Sequence, residues 1–206
     1  VAAPPAQFTP TMPFCLIGFG GFWGRDHGDN SGIPPDGNFR TTWGIYPAGG
    51  EMDLNQGTRV SLNRGGQGAG IQPIWQASFS EFLRAEAVLT LGVAGDAKAF
   101  LEAGVRKSIS KVVGFPATIG YAVNPAVVPS TATIDAYVAK VLAAYDAATT
   151  NSDKLNVVMK EWYIALWGNG ADANNNYRRT GMPNNFQFAK LPDPGSYIRS
   201  FLYPST

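Results

Sequence analysis

The stretch that decides the fold reads WYIALWGNG over residues 162–170, and YRRTGMP follows over residues 177–183. In and upstream of this stretch, apolar residues recur at positions i, i+3 and i+4, which is the spacing of one helix face. The pattern predicts a helix over about Ser152–Trp167, ended by Gly168, and a short helix near Ala171–Arg179. The apolar face of the longer helix consists of Leu155, Val158, Met159, Trp162, Tyr163 and Leu166.

Helical spacing also predicts three earlier helices. They run over about Gln76–Leu91, from Asp96 onward, and over about Ile134–Ala148. Asp96 favours a helix start because its carboxylate can accept hydrogen bonds from backbone N–H groups of the first turn. Since only about three residues separate the first two helices, they should pack as an antiparallel hairpin. The two helical pairs indicate a mainly α fold with tetratricopeptide-like hairpins, although no clean repeat is visible.

Glycine and proline divide the chain unevenly. Residues 1–75 hold 15 of the 24 Gly and 8 of the 15 Pro, whereas residues 76–168 hold 6 and 3. The first third is therefore predicted to consist of long Gly- and Pro-rich loops. Such loops are unusual in a compact domain, so they either carry function or lie against a part of the protein absent from this chain. Pro116, Pro125 and Pro129 predict an extended link between the two helical pairs.

Length and composition restrict the possible functions. The 206 residues are enough for a single domain, residues 1–206, with its own core. The net charge of +1 and the scattered Lys and Arg provide no field to attract nucleic acid. The single cysteine, Cys15, excludes an internal disulfide and lacks the small-residue context of a lipid-attachment site. No cofactor motif stands out, so we expect no cofactor.

Further motifs resemble one known family. Residues 72–74 read QPI, residues 80–87 read SEFLRAEA, residues 95–97 read GDA and residues 102–108 read EAGVRKS. Together with the C-terminal stretch, they resemble the SusD/RagB family of outer-membrane nutrient-binding lipoproteins, in the branch often called starch-binding. The resemblance covers most of residues 72–204. Because family members are much longer and begin with a lipid-anchored cysteine, we expect this chain to be a C-terminal portion of a larger protein.

The resemblance implies both a SusD-like fold and a function. Members of the family lie on the cell surface, in the outer membrane of Gram-negative glycan degraders. They capture oligosaccharides and deliver them to a TonB-dependent SusC-like transporter, and they are not enzymes. The family thus implies non-catalytic capture of an oligosaccharide or another nutrient, with the glycan and the transporter as partners.

Three aromatic residues are candidates for contact with a glycan. Trp23, Trp43 and Tyr46 lie in Gly-rich segments of the first third. A sugar ring has an apolar face that stacks on an aromatic plane, while amides and charged groups satisfy its hydroxyls. The alternative is that these aromatic side chains hold the loops against the core. The composition therefore allows a glycan site in the loops without requiring one.

Arg25, Asp26 and Asp29 add polar groups beside the only histidine, His27, and complete the predicted ligand-binding set. Sugar hydroxyls or a hard cation would suit the side-chain oxygens of Asp26, Asp29 and Asn30, but the acidic residue at the twelfth position of an EF-hand loop is missing. A solvated turn held by its own Asx hydrogen bonds is the simpler interpretation.

Glu86 lies on the apolar side of the first predicted helix. A carboxylate buried there should be paired, and Arg178 or Arg179 is the candidate partner. We interpret this pairing as structural: bidentate bonds would hold the C-terminal segment on the helices.

Two functions from other classes remain open. A helical-hairpin protein that binds other proteins would expose an apolar groove on its helices. A glycoside hydrolase would need two carboxylates that face one bond, for example Asp26 with Glu51 or Asp53, and the spacing does not require that pairing.

Overall fold

The computed structural model describes residues 70, 72–123, 125 and 128–186. Within these ranges the chain forms helices and no β-strand, and the helices all belong to one compact unit, Thr42–Asn185. The prediction of a mainly α fold is confirmed. The helices are α1 Ala77–Leu91, α2 Ala97–Thr118, α3 Thr131–Ala147, α4 Asn151–Ala165 and α5 Gly170–Thr180. Apart from residues 70 and 72–75, the predicted loops of the first third lie outside the described residues, so they and the single-domain boundary stay predictions.

Side-chain caps determine where most of the helices begin. The Asp96 carboxylate accepts hydrogen bonds from the backbone N–H groups of Lys98 and Ala99 at the start of α2. Thr150 and Asp153 form a capping box on α4, in which each side chain accepts from the other residue's backbone N–H. Such caps satisfy N–H groups that have no partner within the helix. At its other end, α1 stops at Gly92, which adopts φ 66°, a conformation that favours glycine.

Three predicted boundaries were wrong. α3 begins at Thr131 rather than Ile134, because the Ser130 side chain accepts from the Thr133 N–H and starts the helix earlier. α4 ends at Ala165, and the next three residues form a turn rather than the predicted last helical turn. Pro116 lies inside α2 and not in an extended link. Its missing N–H removes one helical hydrogen bond, to the Val112 carbonyl, and because α2 ends only two residues later the disturbance is confined to its last turn.

The first two helices form the predicted antiparallel hairpin. Glu81, early in α1, contacts Lys107 of α2, whereas Arg84, one turn later, contacts Phe100, which lies earlier in α2. Residue numbers therefore rise along one helix as they fall along the other. Gly104 of α2 faces α1 so closely that a Cβ there would lie 2.9 Å from the ring of Phe82.

α3 and α4 form a second antiparallel hairpin. The Tyr137 hydroxyl of α3 donates to Glu161 of α4 at 2.6 Å, and Lys154 of α4 lies 5.5 Å from the ring centre of Tyr145. α4 also packs against α1 to form the core. There the rings of Phe82 and Trp162 stack with centres 6.2 Å apart. The largest fully buried apolar side chains are Phe79, Phe82, Leu101, Val138, Val158 and Met159.

Candidate functional site

The ligand-binding residues predicted from sequence lie outside the described part of the chain. This applies to Trp23, Arg25, Asp26, Asp29, Trp43 and Tyr46. Their role in binding stays a prediction. The described helices instead show two regions with distinct chemistry, one rich in ion pairs and one rich in exposed aromatic side chains.

The strongest polar contact between distant parts of the chain joins α5 to α1. Glu86 is only 5% exposed, and Arg179 donates from Nη1 to its Oε1 and from Nη2 to its Oε2, the latter at 2.9 Å. This is the bidentate geometry in which a guanidinium binds a carboxylate most specifically. The predicted partner of Glu86 is thus Arg179, while Arg178 is exposed. The ion pair holds the last described helix on the hairpin.

A cavity of about 390 Å³ adjoins this ion pair. Its lining is mostly apolar, because α1 and α4 contribute leucine and alanine side chains to it. The lining residues are Leu83, Glu86, Ala87, Thr90, Leu91, Leu155, Arg179 and Thr180. Leu91 at its edge is 76% exposed. The cavity can accept an apolar side chain, but its one charged pair is already engaged internally.

Two other buried glutamates are also paired. Glu81 accepts from Lys107 Nζ at 2.6 Å and from Arg84 Nη1 at 3.1 Å. The hydrogen bond from Lys107 is the main reason that the pKa of Glu81 lies below its usual value. Glu161 accepts from the Tyr137 hydroxyl. Burial is the main reason that the pKa of Tyr137 is raised, and the hydrogen bond to Glu161 raises it further. Glu81 thus joins α1 to α2, and Glu161 joins α4 to α3. We call Glu81, Arg84, Glu86, Lys107 and Arg179 the ionic band.

The other region lies where α1 begins and α4 ends. We call residues 72–80 and 162–171 the aromatic end. Two hydrogen bonds join its segments: Gln72 Nε2 donates to the Gly168 carbonyl at 2.7 Å, and Asn169 Nδ2 donates to the Ile74 carbonyl at 3.3 Å. These bonds connect residues almost a hundred positions apart, so they bring Trp75 and Trp167 to the same end of the helices.

Large apolar side chains of the aromatic end face solvent. Trp75 is 54% exposed and Trp167 is 70% exposed, and Ile74 and Ile164 are exposed as well. Tryptophan is usually far more buried than this. Neither segment contains Lys, Arg, Asp or Glu. Asp172, the next residue along the chain, accepts from Asn169 Nδ2 at 2.7 Å. The two segments themselves offer flat rings and carboxamides, which suit a neutral ligand with apolar faces and hydroxyls.

A comparison with protein-family models identifies the chain. The model described as SusD-like, SusD and RagB outer membrane lipoprotein, matches residues 68–200, which is more than half of the sequence. The chain belongs to the SusD/RagB family. The match includes the ionic band and the aromatic end. It also agrees with the resemblance based on the motifs from residue 72 onward.

Other comparisons add no further relative of this SusD-like chain. Neither the curated proteins nor the solved structures returned a significant match. Among the helices that the structure describes, none is long and apolar enough to cross a membrane. The comparisons thus identify the chain through its family, which is described as an outer membrane lipoprotein family.

Sequence reasoning did not select Trp75 or Trp167 as binding residues in this SusD-like chain. Trp167 was assigned to the end of the fourth helix, whereas the structure places it in the turn after Ala165. One signal in the sequence was available. Trp167 directly follows Leu166, so it lies off the apolar face that Leu155, Met159 and Leu166 define.

Proposed function

We propose that this chain is part of a non-catalytic surface protein that captures an oligosaccharide, or another nutrient, and delivers it to a TonB-dependent SusC-like outer-membrane transporter. The proposal rests chiefly on the match to the SusD/RagB family over residues 68–200. Its cell-surface location and its partners follow from the family resemblance.

Capture of this kind requires no chemical step. Aromatic rings stack on the apolar faces of sugar rings, and side-chain amides and carboxylates bind the hydroxyls. In the first third, Trp23, Trp43 and Tyr46 are the proposed stacking residues, and Arg25, Asp26 and Asp29 the proposed hydroxyl ligands. Binding by such contacts is reversible, which release to a transporter requires.

The test is calorimetric titration of a panel of neutral oligosaccharides into the 206-residue chain and into a version extended at its N-terminus. We expect at least one oligosaccharide to bind. Trp23→Ala or Trp43→Ala should weaken that binding roughly three- to tenfold, the equivalent of one lost aromatic stacking contact. If both variants bind the oligosaccharide as tightly as the unaltered chain, these two residues do not belong to the site. If neither chain binds any oligosaccharide of the panel, capture of those sugars is wrong.

A reducing-end assay on the same mixtures addresses the hydrolase alternative. Non-catalytic capture predicts that the glycan is recovered intact after prolonged incubation. Release of new reducing ends, abolished by Asp26→Asn, would instead favour a carboxylate-dependent hydrolase.

The cavity beside the Glu86–Arg179 pair favours a second candidate function, a helical scaffold that binds a protein. This alternative requires an exposed apolar groove, and exposed Leu91 and Leu83 beside an apolar cavity support it. The purified transporter is the partner to test. If Leu91→Asp abolishes its binding and no sugar binds the chain, the scaffold function replaces capture.

A further inference from the structure

We infer that Trp75 and Trp167 form a stacking platform for a neutral oligosaccharide at the aromatic end of the helices. This inference rests on the proposed function and adds to it a binding site outside the loops of the first third. Four features of the described residues support it: exposure, a fixed ring, a fixed turn, and the absence of charge.

Exposure is the first feature. More than half of each tryptophan is accessible, although a ring of this size in a soluble protein usually gains free energy from burial. Exposed Ile74 and Ile164 in the same segments enlarge the apolar surface. Large exposed apolar side chains gathered at one end of the helices typically mark a place where something binds.

The ring of Trp75 is held in place before any ligand arrives. Its Nε1–H donates to Ser80 Oγ at 3.0 Å, and its ring lies edge-on to Phe79 with centres 5.9 Å apart and planes at 88°. Phe79 is fully buried, so it provides a rigid support. A ring that is already ordered loses little conformational entropy when a sugar stacks on it.

The backbone around Trp167 is equally well fixed. The Trp167 N–H donates to the Ile164 carbonyl at 3.2 Å, and the Asn169 N–H donates to the Leu166 carbonyl at 2.7 Å. Leu166 is buried, which anchors the turn in the core. Gly168, at φ 89°, allows the chain to reverse immediately after the tryptophan. The turn therefore presents Trp167 to solvent on a rigid support.

The absence of charge indicates the chemical class of the ligand. Residues 72–80 and 162–171 contain no ionisable acid or base other than Tyr163, and their polar side chains are carboxamides and hydroxyls. Gln72 is exposed beside Gly168 and carries both donor and acceptor groups. Asp172, just beyond the second segment, accepts from Asn169 Nδ2 at 2.7 Å, so the charge nearest to this surface is negative and already hydrogen-bonded. A neutral polyhydroxylated ligand matches this surface, whereas an anionic ligand would find no charge complement within the two segments.

The test combines calorimetry with NMR on the full 206-residue chain, using an oligosaccharide that binds the unaltered protein. Trp75→Ala and Trp167→Ala should each weaken binding roughly three- to tenfold, and the double variant should lose most of the affinity. Trp75→Phe and Trp167→Phe retain a ring and should recover much of it. The indole N–H signals of Trp75 and Trp167, assigned from these variants, should shift on titration.

Val93→Ala is the matched control, because Val93 is exposed and apolar but lies just beyond the opposite end of α1. It should leave sugar affinity unchanged, and circular dichroism should show that every variant is folded. Unaltered sugar affinity in the double tryptophan variant would overturn the platform, while sugar binding by the unaltered chain would still support the proposed function. If neither the unaltered chain nor its N-terminally extended version binds any sugar of the panel, the platform and the capture of those sugars are both overturned. If the double tryptophan variant loses transporter binding but keeps its sugar affinity, the surface is a protein contact and the sugar platform is overturned.

Discussion

The ionic band and the aromatic end lie along the same helix, α1, and differ in almost every respect. In the ionic band, buried carboxylates of α1 bind cations from α2 and α5. At the aromatic end, the contacts between segments involve carboxamides and backbone carbonyls, and large apolar side chains are exposed. One region uses its strongest groups internally, whereas the other presents its largest side chains to solvent.

This difference indicates a division of tasks within the chain. Removal of one partner of a buried ion pair leaves the other charge buried without compensation. Such a change should therefore reduce the free energy of unfolding. Exposed rings contribute little to stability, so their removal should leave the free energy of unfolding nearly unchanged. At the aromatic end it should instead weaken ligand binding. This division predicts losses of stability from changes in the ionic band and in the packing of α1 against α2.

Arg179→Ala should destabilise the fold more than any other change considered below. It leaves the carboxylate of Glu86 buried without its cation, and we expect a loss of about 2–3 kcal/mol. The value is at the low end for a buried pair because the Arg179 side chain is 48% exposed. Urea unfolding monitored by circular dichroism measures it.

Arg178→Ala is the matched control for that change, since Arg178 is the exposed neighbour of Arg179 on α5. Its effect should stay within about 0.5 kcal/mol. Equal stability of the two variants would show that the Glu86–Arg179 pair does not hold α5 in place.

Gly104→Ala tests the close approach of α2 to α1. The new Cβ would meet the Phe82 ring at 2.9 Å, and that ring is fully buried against Trp162. We expect a net loss of about 1–2 kcal/mol, because overpacking exceeds the gain in helix propensity.

Gly114→Ala in the same helix is the control, since nothing lies within 4 Å of its Cβ position. It should stabilise the chain by up to about 1 kcal/mol through helix propensity alone. Thermal unfolding of both variants gives the comparison. Stabilisation by both substitutions would show that the hairpin tolerates a wider separation of its helices.

The smallest expected effect concerns Glu81 and depends on pH. Because the pKa of Glu81 in the folded chain lies below its usual 4.5, the folded state binds this proton less readily than the unfolded state. The stabilising contribution is therefore complete above pH 4.5 and is lost as the pH falls through the lowered pKa. Glu81→Gln should cost about 1 kcal/mol at neutral pH and reduce the acid dependence of unfolding.

Glu102→Gln is the comparison for Glu81, since its ion pair with Arg106 is exposed and joins residues of the same helix. It should change stability by less than Glu81→Gln at neutral pH. An unchanged acid dependence in Glu81→Gln would contradict the assigned role of the Lys107 hydrogen bond.

Much of the helical unit could be predicted from local sequence, and the failures have physical causes. Asp96 and Gly92 mark helix ends through side-chain and backbone chemistry that acts within a few residues. Ser130 provides the same signal, but the β-branched residues after it obscured the start of α3. Pro116 was misplaced because a proline in the last turn of a helix disturbs only that turn, which periodicity alone does not reveal.

The pairing of Glu86 was predictable because a carboxylate on an apolar helix face needs a cation. The exposure of Trp75 and Trp167 was not, since it depends on which side chains the remaining chain covers. Contacts such as that between Gln72 and Gly168, which bring the two segments together, have no local signature in the sequence. The proposed loop residues Trp23 and Trp43 stay predictions for a different reason, because they lie outside the described residues.

One measurement distinguishes the tasks of the two regions. An oligosaccharide that binds the unaltered chain is titrated into the Trp75→Ala/Trp167→Ala double variant and into Arg179→Ala, at a temperature where both are folded. We predict that the double tryptophan variant loses most of the affinity, whereas Arg179→Ala binds normally despite its lower stability. Normal binding by the double tryptophan variant, or loss of binding in folded Arg179→Ala alone, would contradict the account.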